Sequence, residues 1–303
     1  MTTPPPEIPG YRVLGPVGAP IPGRPNGAVF LAEPSDRPDT RVVIKDYLLW
    51  IGPDPRRVEG AKVRLNRSWV AARSVDHPGI VRPLQRIADR WLVLEWIDGP
   101  SLAARMAAGP VPRAEAWDLI LAIAEALAAL TAALDRRFPD RPGMGHGDLH
   151  AHNILLPRGA AAGTVKLVDL DKVGKPCNRY QPLPAARRGE ILRAGRSIAT
   201  PPEICLGTVA MHDGCVDVFA LGVLAWRLLD GQYPFERPEE FLEKLDRLQG
   251  DGTDASARLP ARVAAAPATP RVAVLARMLR LDRAGRFPSV AAALAELCRV
   301  REA

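Results

Sequence analysis

The chain has 303 residues, 47% of them hydrophobic and 25% charged, which is enough for two globular lobes and outside the composition range of disordered chains. Its net charge of +7 fits a solvated, Arg-rich surface, and no basic run is interleaved with aromatics, so no nucleic-acid partner is expected. No apolar run approaches membrane-spanning length, and Met1 to Gly10 has neither a basic start nor an apolar core, so a cytoplasmic protein with no membrane partner is expected.

Residues 1–10, with Pro4-Pro5-Pro6 and Pro9, read as an extended leader, after which Tyr11-Arg12-Val13-Leu14 begins a strand. Gly15-Pro16-Val17-Gly18 and Gly23-Arg24-Pro25-Asn26-Gly27-Ala28-Val29-Phe30-Leu31 bracket a turn that returns into a second strand. Arg41-Val42-Val43-Ile44 is β-branched and apolar up to Lys45. Only six of the 41 basic residues are lysine, so a lysine inside an apolar strand is not there merely for charge. A helix is expected over Asp54 to Ser74, a turn at Asp76-His77-Pro78-Gly79-Ile80-Val81, and strands over Leu84 to Ala88 and Trp91 to Trp96. In the next helix Ile120, Ile123, Leu127, Leu130 and Leu134 recur at spacings of three and four, which marks a core-facing stripe.

His146-Gly147-Asp148-Leu149-His150-Ala151-His152-Asn153 then runs into the apolar strand Ile154-Leu155-Leu156 and is answered by Val165-Lys166-Leu167-Val168-Asp169. Phosphoryl transfer needs an acid to orient the attacking hydroxyl, an amide and a carboxylate to hold a metal, and a lysine to hold phosphate oxygens. Asp148, Asn153 and Asp169 supply the first three. Further on, the helix that begins at Asp217-Val218-Phe219 is apolar on nearly every side, as a buried post would be, and Asp217 is expected to cap its first amides. Cys177, Cys205, Cys215 and Cys298 contain no C-x-x-C pair, so neither a zinc site nor a disulfide framework is indicated and buried free thiols are expected.

In this order the motifs resemble those of the eukaryotic-like, bacterial-type Ser/Thr protein kinases. Val42-Val43-Ile44-Lys45 is similar to the family's third strand, His77-Pro78-Gly79-Ile80-Val81 to its His-Pro-Asn-Ile-Val turn, and Leu94 to Leu102 to its hinge. Asp169-Leu170-Asp171 stands for D-F-G, and Thr200-Pro201-Pro202-Glu203 for A-P-E. Asp217 to Phe235 resembles the central helix, and Leu281 to Ser289 the terminal Arg-Pro-Ser turn. The resemblance spans about residues 11 to 300. It implies an α+β, bilobal fold, with a small β-rich lobe carrying one helix over 11–97 and a mostly helical lobe over 98–303. It also implies ATP with Mg2+ (or Mn2+) and a protein substrate or regulatory partner protein. By the same resemblance Lys45 grips the phosphates, Gly27 and Val29 cover the nucleotide, and Leu94 is the gatekeeper. The backbone of Glu95 and Ile97 meets adenine, Asp148 orients the acceptor hydroxyl, and Asn153 and Asp169 hold the metal. Arg286 pairs with Glu203.

Several positions depart from the family pattern. Gly147 replaces the arginine that would meet a phosphorylated activation segment, and His150 replaces the catalytic-loop lysine, so His-Gly-Asp-Leu-His is similar to aminoglycoside- and choline-type phosphotransferases. Pro22 and Arg24 stand where the first two loop glycines belong, and Gly195-Arg196 replaces Gly-Thr in the substrate-positioning loop. Asp171 replaces a glycine, either as a second carboxylate for the metal or facing water. A nucleotide-binding pseudokinase acting as a signalling scaffold and a small-molecule phosphotransferase are therefore alternatives to a protein kinase.

The last departure concerns the helix after Lys45, where the family carries a glutamate that pairs with the lysine. Counting back from His77-Pro78 puts Ser68 there. The nearest acid, Glu59, lies about two and a half turns earlier and faces the other way. Ala61, Leu65, Ala72 and Val75 share the Ser68 side, whereas the Glu59 side carries Lys62, Val63, Asn66 and Arg73, so the apolar stripe turns Ser68 inward. Lys45 is expected to lack its helix glutamate and to need another acid or a partner to position it.

Overall fold

Alternating apolar and polar positions at the amino-terminal end assemble into one antiparallel sheet, in the spatial order β1-β2-β3-β5-β4. The strands are β1 (Tyr11–Pro16), β2 (Val29–Pro34), β3 (Val42–Asp46), β4 (Pro83–Ile87) and β5 (Trp91–Glu95). The computed structural model describes residues 6–18, 29–49, 51–161, 163–176, 200–206, 208–209, 211–250 and 255–301. Register decides which side chains share a face. Val29 on β2 and Leu92 on β5 both lie directly opposite Lys45 on β3, so the three project to the same side. Val43 and Leu94 pair two residues along and join them. The other face, with Ala32, Val42, Ile44 and Val93, packs against Ile8, Tyr11 and Val13.

Helix α1 (Pro55–Ser74) covers the Lys45 face. Its start is fixed by Asp54, whose side chain accepts from the Arg56 amide at 2.9 Å, and by a proline in the first turn, where no intrahelical donor is needed. Ala61, Leu65, Ser68, Ala71 and Ala72 form its buried face, while Glu59 is exposed, so the inward turn of Ser68 is as expected. Leu65 and Ala61 close a small core with Tyr47, Ile51 and Leu92. The same helix also packs on the 3-10 turn Leu170–Lys172 of the helical lobe, which ties the two lobes together beside Lys45. A second tie runs through the Asp76–Val81 turn. The Val81 amide donates to the Leu167 carbonyl at 3.0 Å, and the Leu167 amide to the Gly79 carbonyl at 2.8 Å.

The helical lobe comprises α2 (Leu102–Ala107), α3 (Arg113–Arg137), α4 (Pro202–Leu206), α5 (Gly214–Asp230), α6 (Pro238–Gly250), α7 (Ala261–Ala265), α8 (Pro270–Met278) and α9 (Val290–Arg301). A two-stranded ribbon, β6 (Ile154–Leu155) with β7 (Lys166–Leu167), completes it and is shorter than the two strands expected there. Helices α3, α5 and α9 pack on one another around a single large core. By length and composition alone α3 could cross a membrane, but Ile120, Ile123, Leu127, Leu130 and Leu134 are all buried in that core. Each such leucine or isoleucine contributes about 2 kcal/mol by leaving water.

Two expectations are corrected here. Asp213, not Asp217, caps α5, accepting from the Cys215 and Val216 amides at 3.1 and 3.2 Å. A cap must sit outside the helix with extended backbone, as Asp213 does, whereas Asp217 is already inside the first turn. Cys205 and Cys215 are buried and in no disulfide, but Cys298 is exposed because α9 turns Ala293, Leu297 and Val300 inward instead. Cys177 lies outside the described residues.

Candidate active site

Asp217 is the buried anchor of the loop that carries Asp148. One of its oxygens accepts from the His146 amide at 2.6 Å and the other from the Gly147 amide at 2.8 Å. Burial pushes its carboxyl up to about 6, against the pull of those amides and of His146. His146, itself fully buried, meets the Asp148 amide at Nδ1 (3.2 Å) and the Val168 carbonyl at Nε2 (3.1 Å). Gly147 adopts a left-handed φ of +74, and a Cβ there would lie 2.7 Å from His212 Cβ and 2.9 Å from the Lys172 carbonyl. The absence of arginine at this position is thus a steric fact as well as a chemical one. His212 Nδ1 approaches the Gly147 carbonyl at 3.0 Å, so histidine fills the space that a longer residue would need.

Around this loop the expected site residues converge. The Asn153 side-chain amide donates to the Asp148 carbonyl at 3.0 Å, which leaves its oxygen as the free end. The Val168 amide donates to the Asn153 carbonyl at 3.0 Å, so the β6–β7 ribbon sets Asn153 beside the turn that begins at Asp169. An amide oxygen and a carboxylate at the end of one ribbon are hard oxygen donors of the type a divalent metal such as Mg2+ takes. Asp169 has a left-handed backbone, φ 66 and ψ 63, which is costly for a residue with a side chain and is a pattern concentrated at functional sites. Asp148 pairs through one oxygen with Lys172 Nζ at 2.7 Å. His150, in the catalytic loop, has a buried Nδ1 without a partner among the described residues, and burial lowers its pKa.

Lys45 reaches across the cleft. Its Nζ lies 2.8 Å from an Asp169 oxygen and 2.8 Å from an Asp171 oxygen. Burial pushes the ammonium down, but the two carboxylates outweigh it and hold its pKa well above the usual lysine value. Burial likewise raises both acids; for Asp169 the Lys45 charge and hydrogen bond reverse the sign and hold it below the ordinary carboxylate value, whereas Asp171, beside Asp169, stays raised. The second Asp171 oxygen accepts from the Tyr47 hydroxyl at 2.6 Å. Of the two expectations for Asp171, facing water does not fit this arrangement, since it is buried and engaged by the lysine and the tyrosine.

On the nucleotide side, Val29 and Leu94 share the Lys45 face, as the register requires. The Glu95 amide is used within the sheet, donating to the Arg82 carbonyl at 3.0 Å, and its carboxylate meets Lys166 at 2.5 Å, so only its carbonyl is left for a hinge role. The amide of buried Ile97 has no backbone partner among the described residues, which suits a donor to a ring nitrogen. Gly27, Pro22 and Arg24 of the glycine-rich turn lie outside the described residues, as do Gly195 and Arg196. The expected Glu203–Arg286 pair is present, with Arg286 Nη1 and Nη2 at 2.7 and 2.6 Å from the two carboxylate oxygens.

Sequence reasoning did not find Tyr47, Lys172 or His212. The first two had readable signals: Tyr47 stands two residues after Lys45 and so points to the same side, and Lys172 directly follows Asp169-Leu170-Asp171. His212 had none, because it meets Gly147 only through the fold.

A sheet lobe over a helical lobe, with a lysine, two aspartates and an asparagine meeting between them, defines a protein-kinase fold. The kinase domain of PknI from Mycobacterium tuberculosis matches with a TM-score of 0.57 and 21% identity over 97% of each chain. No protein-family model matches the chain. Its sequence relatives include bacterial serine/threonine protein kinases. With pkn2 of Myxococcus xanthus it is 28% identical over 235 residues, 75% of this chain and 25% of that protein. With Pkn1 of the same organism it is 30% identical over 221 residues, 69% of this chain and 28% of that protein. With PknJ of Mycobacterium tuberculosis it is 28% identical over 235 residues, 75% of this chain and 35% of that protein. The chain therefore spans well under half the length of these relatives.

Proposed function

We propose that the chain transfers the γ-phosphate of ATP to a serine or threonine hydroxyl of a protein, using Mg2+ or Mn2+. The observation that carries this reading is the Lys45–Asp169 contact at 2.8 Å, which joins a strand lysine to the carboxylate of the turn in the opposite lobe. In such a transfer a bond forms between the acceptor oxygen and the γ-phosphorus as the bond to the β,γ-bridging oxygen breaks, and ADP leaves. Asp148 orients the acceptor hydroxyl and takes its proton through the oxygen that Lys172 does not hold. Lys45 holds phosphate oxygens on the Val29 and Leu94 side of the cleft. Asn153 and Asp169 would hold the metal, which would supply positive charge to neutralise the phosphates.

The test is incubation with labelled ATP and Mg2+ or Mn2+, with and without a generic protein acceptor, alongside melting curves. Metal–ATP at about 100 times its dissociation constant should stabilise the native state by about 2.7 kcal/mol. Asp169→Ala should reduce that shift, and Asp148→Asn should abolish transfer with the shift retained. No shift under any metal refutes the nucleotide site. A shift without transfer leaves the scaffold reading in place of the enzyme.

A further inference from the structure

We infer that Asp171, not any residue of α1, is the acid that positions Lys45, so that the lysine is aligned by the metal-binding turn itself.

The inward face of α1 carries Ala61, Leu65, Ser68 and Ala72 and no acid, and Glu59 points to solvent. Ser68 is too short to replace a glutamate. Asp171 fills the vacant role from the other side of the cleft. Each of its oxygens has its own donor, Tyr47 at 2.6 Å and Lys45 at 2.8 Å, so the carboxylate cannot rotate without losing a charge-assisted bond. Its backbone carbonyl accepts from Arg67 of α1 at 3.0 Å, which fixes the turn from outside.

Two carboxylates on one ammonium also divide the labour. Asp169 belongs to the metal, and a lysine whose sole anion was Asp169 would compete with the metal for it. Asp171 gives Lys45 an anion of its own. The arrangement makes lysine alignment independent of an acid on α1.

The inference rests on the phosphotransfer reading for its kinetic arm but not for its chemical one. The chemical arm measures labelling of Lys45 by an amine-reactive ester, read by mass spectrometry, in the wild type, Asp171→Asn and Glu59→Ala. The kinetic arm measures kcat and KM for ATP in these and in Asp171→Gly, Ser68→Glu and the double variant Ser68→Glu/Asp171→Gly. Asp171→Asn keeps the shape and should accelerate labelling and lower kcat/KM for ATP, each about tenfold, the factor that corresponds to ~1.4 kcal/mol. Glu59→Ala should change neither. The double variant returns the acid to the helix and should recover most of what Asp171→Gly loses, a rescue that a purely structural role would not give. Unchanged labelling in a folded Asp171→Asn protein overturns the inference, as does a double variant no better than Asp171→Gly. Should the wild type transfer no phosphate, the labelling result decides alone, since it concerns the lysine and not the reaction.

Discussion

Arg286 and Glu203 offer a direct measure of how firmly the end of the activation segment is tied to the helical lobe. Their side chains are 0% and 3% exposed and share two charge-assisted bonds, at 2.7 and 2.6 Å. Arg286 also donates to the Arg280 carbonyl at 2.6 Å and stacks 5.0 Å over the Phe219 ring of α5. Replacing Arg286 by methionine keeps the apolar stem and removes every donor. Among the described residues, Glu203 is then left buried with Arg283 as its one remaining ion-pair partner, at 3.4 Å and on a more exposed side chain. Breaking a buried pair in this way costs about 3–5 kcal/mol, because an uncompensated charge remains inside. Glu203→Leu should cost a similar amount for the mirror reason. The double variant Glu203→Leu/Arg286→Met leaves neither charge, so its cost should fall below the sum of the singles by about 2 kcal/mol or more. Hydrogen exchange of the α5 amides reads the helical lobe without interference from the sheet. A coupling energy under about 0.5 kcal/mol would show that the two sites act independently and that the pair does not hold the segment.

Lys172→Met should lower kcat about tenfold or more while KM for ATP changes little, because Lys172 touches Asp148 and not the nucleotide face; equal losses in kcat and in ATP affinity would refute this. His212 is kept neutral chiefly by burial, aided by Lys172 and Lys175 and opposed by the Gly147 carbonyl and Asp148, and its pKa is depressed to about 4. The unfolded chain takes up this proton near 6.5 and the fold resists it down to about 4, so stability should fall as pH drops through that window, by on the order of 3 kcal/mol. Urea midpoints of wild type and His212→Gln across the window check this, and an unchanged slope in the variant would sink it.

What the sequence disclosed depended on whether the signal was local. The strand around Lys45, the α3 stripe and the inward face of α1 each rest on periodicity within a single element, and each was legible to within a residue or so. The Glu203–Arg286 pair was legible only through motif resemblance, since 83 residues separate its members. Asp217 read as the cap in place of Asp213 for a plainer reason. Both are acids at the start of an apolar helix, and only the backbone of Asp213, extended where Asp217 is helical, separates a cap from an anchor. Asp171 was ambiguous because nothing local distinguishes a carboxylate facing water from one facing a lysine 126 residues away.

Two departures from the kinase pattern that read as separate losses, Ser68 on the helix and His150 in the catalytic loop, meet at the same three-residue turn. Asp171 presents its carboxylate to Lys45 where the helix lacks one, and Lys172 presents its ammonium to Asp148 where the loop lacks one. Neighbouring residues in a 3-10 turn diverge by about 120°, which lets one short segment serve both sides of the cleft. The turn starts from the left-handed Asp169, whose carboxylate is the proposed metal ligand, so a shift at Asp169 is transmitted to both lysine contacts at once. Under the proposed function, nucleotide grip, acceptor orientation and metal binding would therefore be coupled through covalent neighbours. A sequence lacking the helix glutamate would then still be built for catalysis, the acid returning in the turn that would hold the metal.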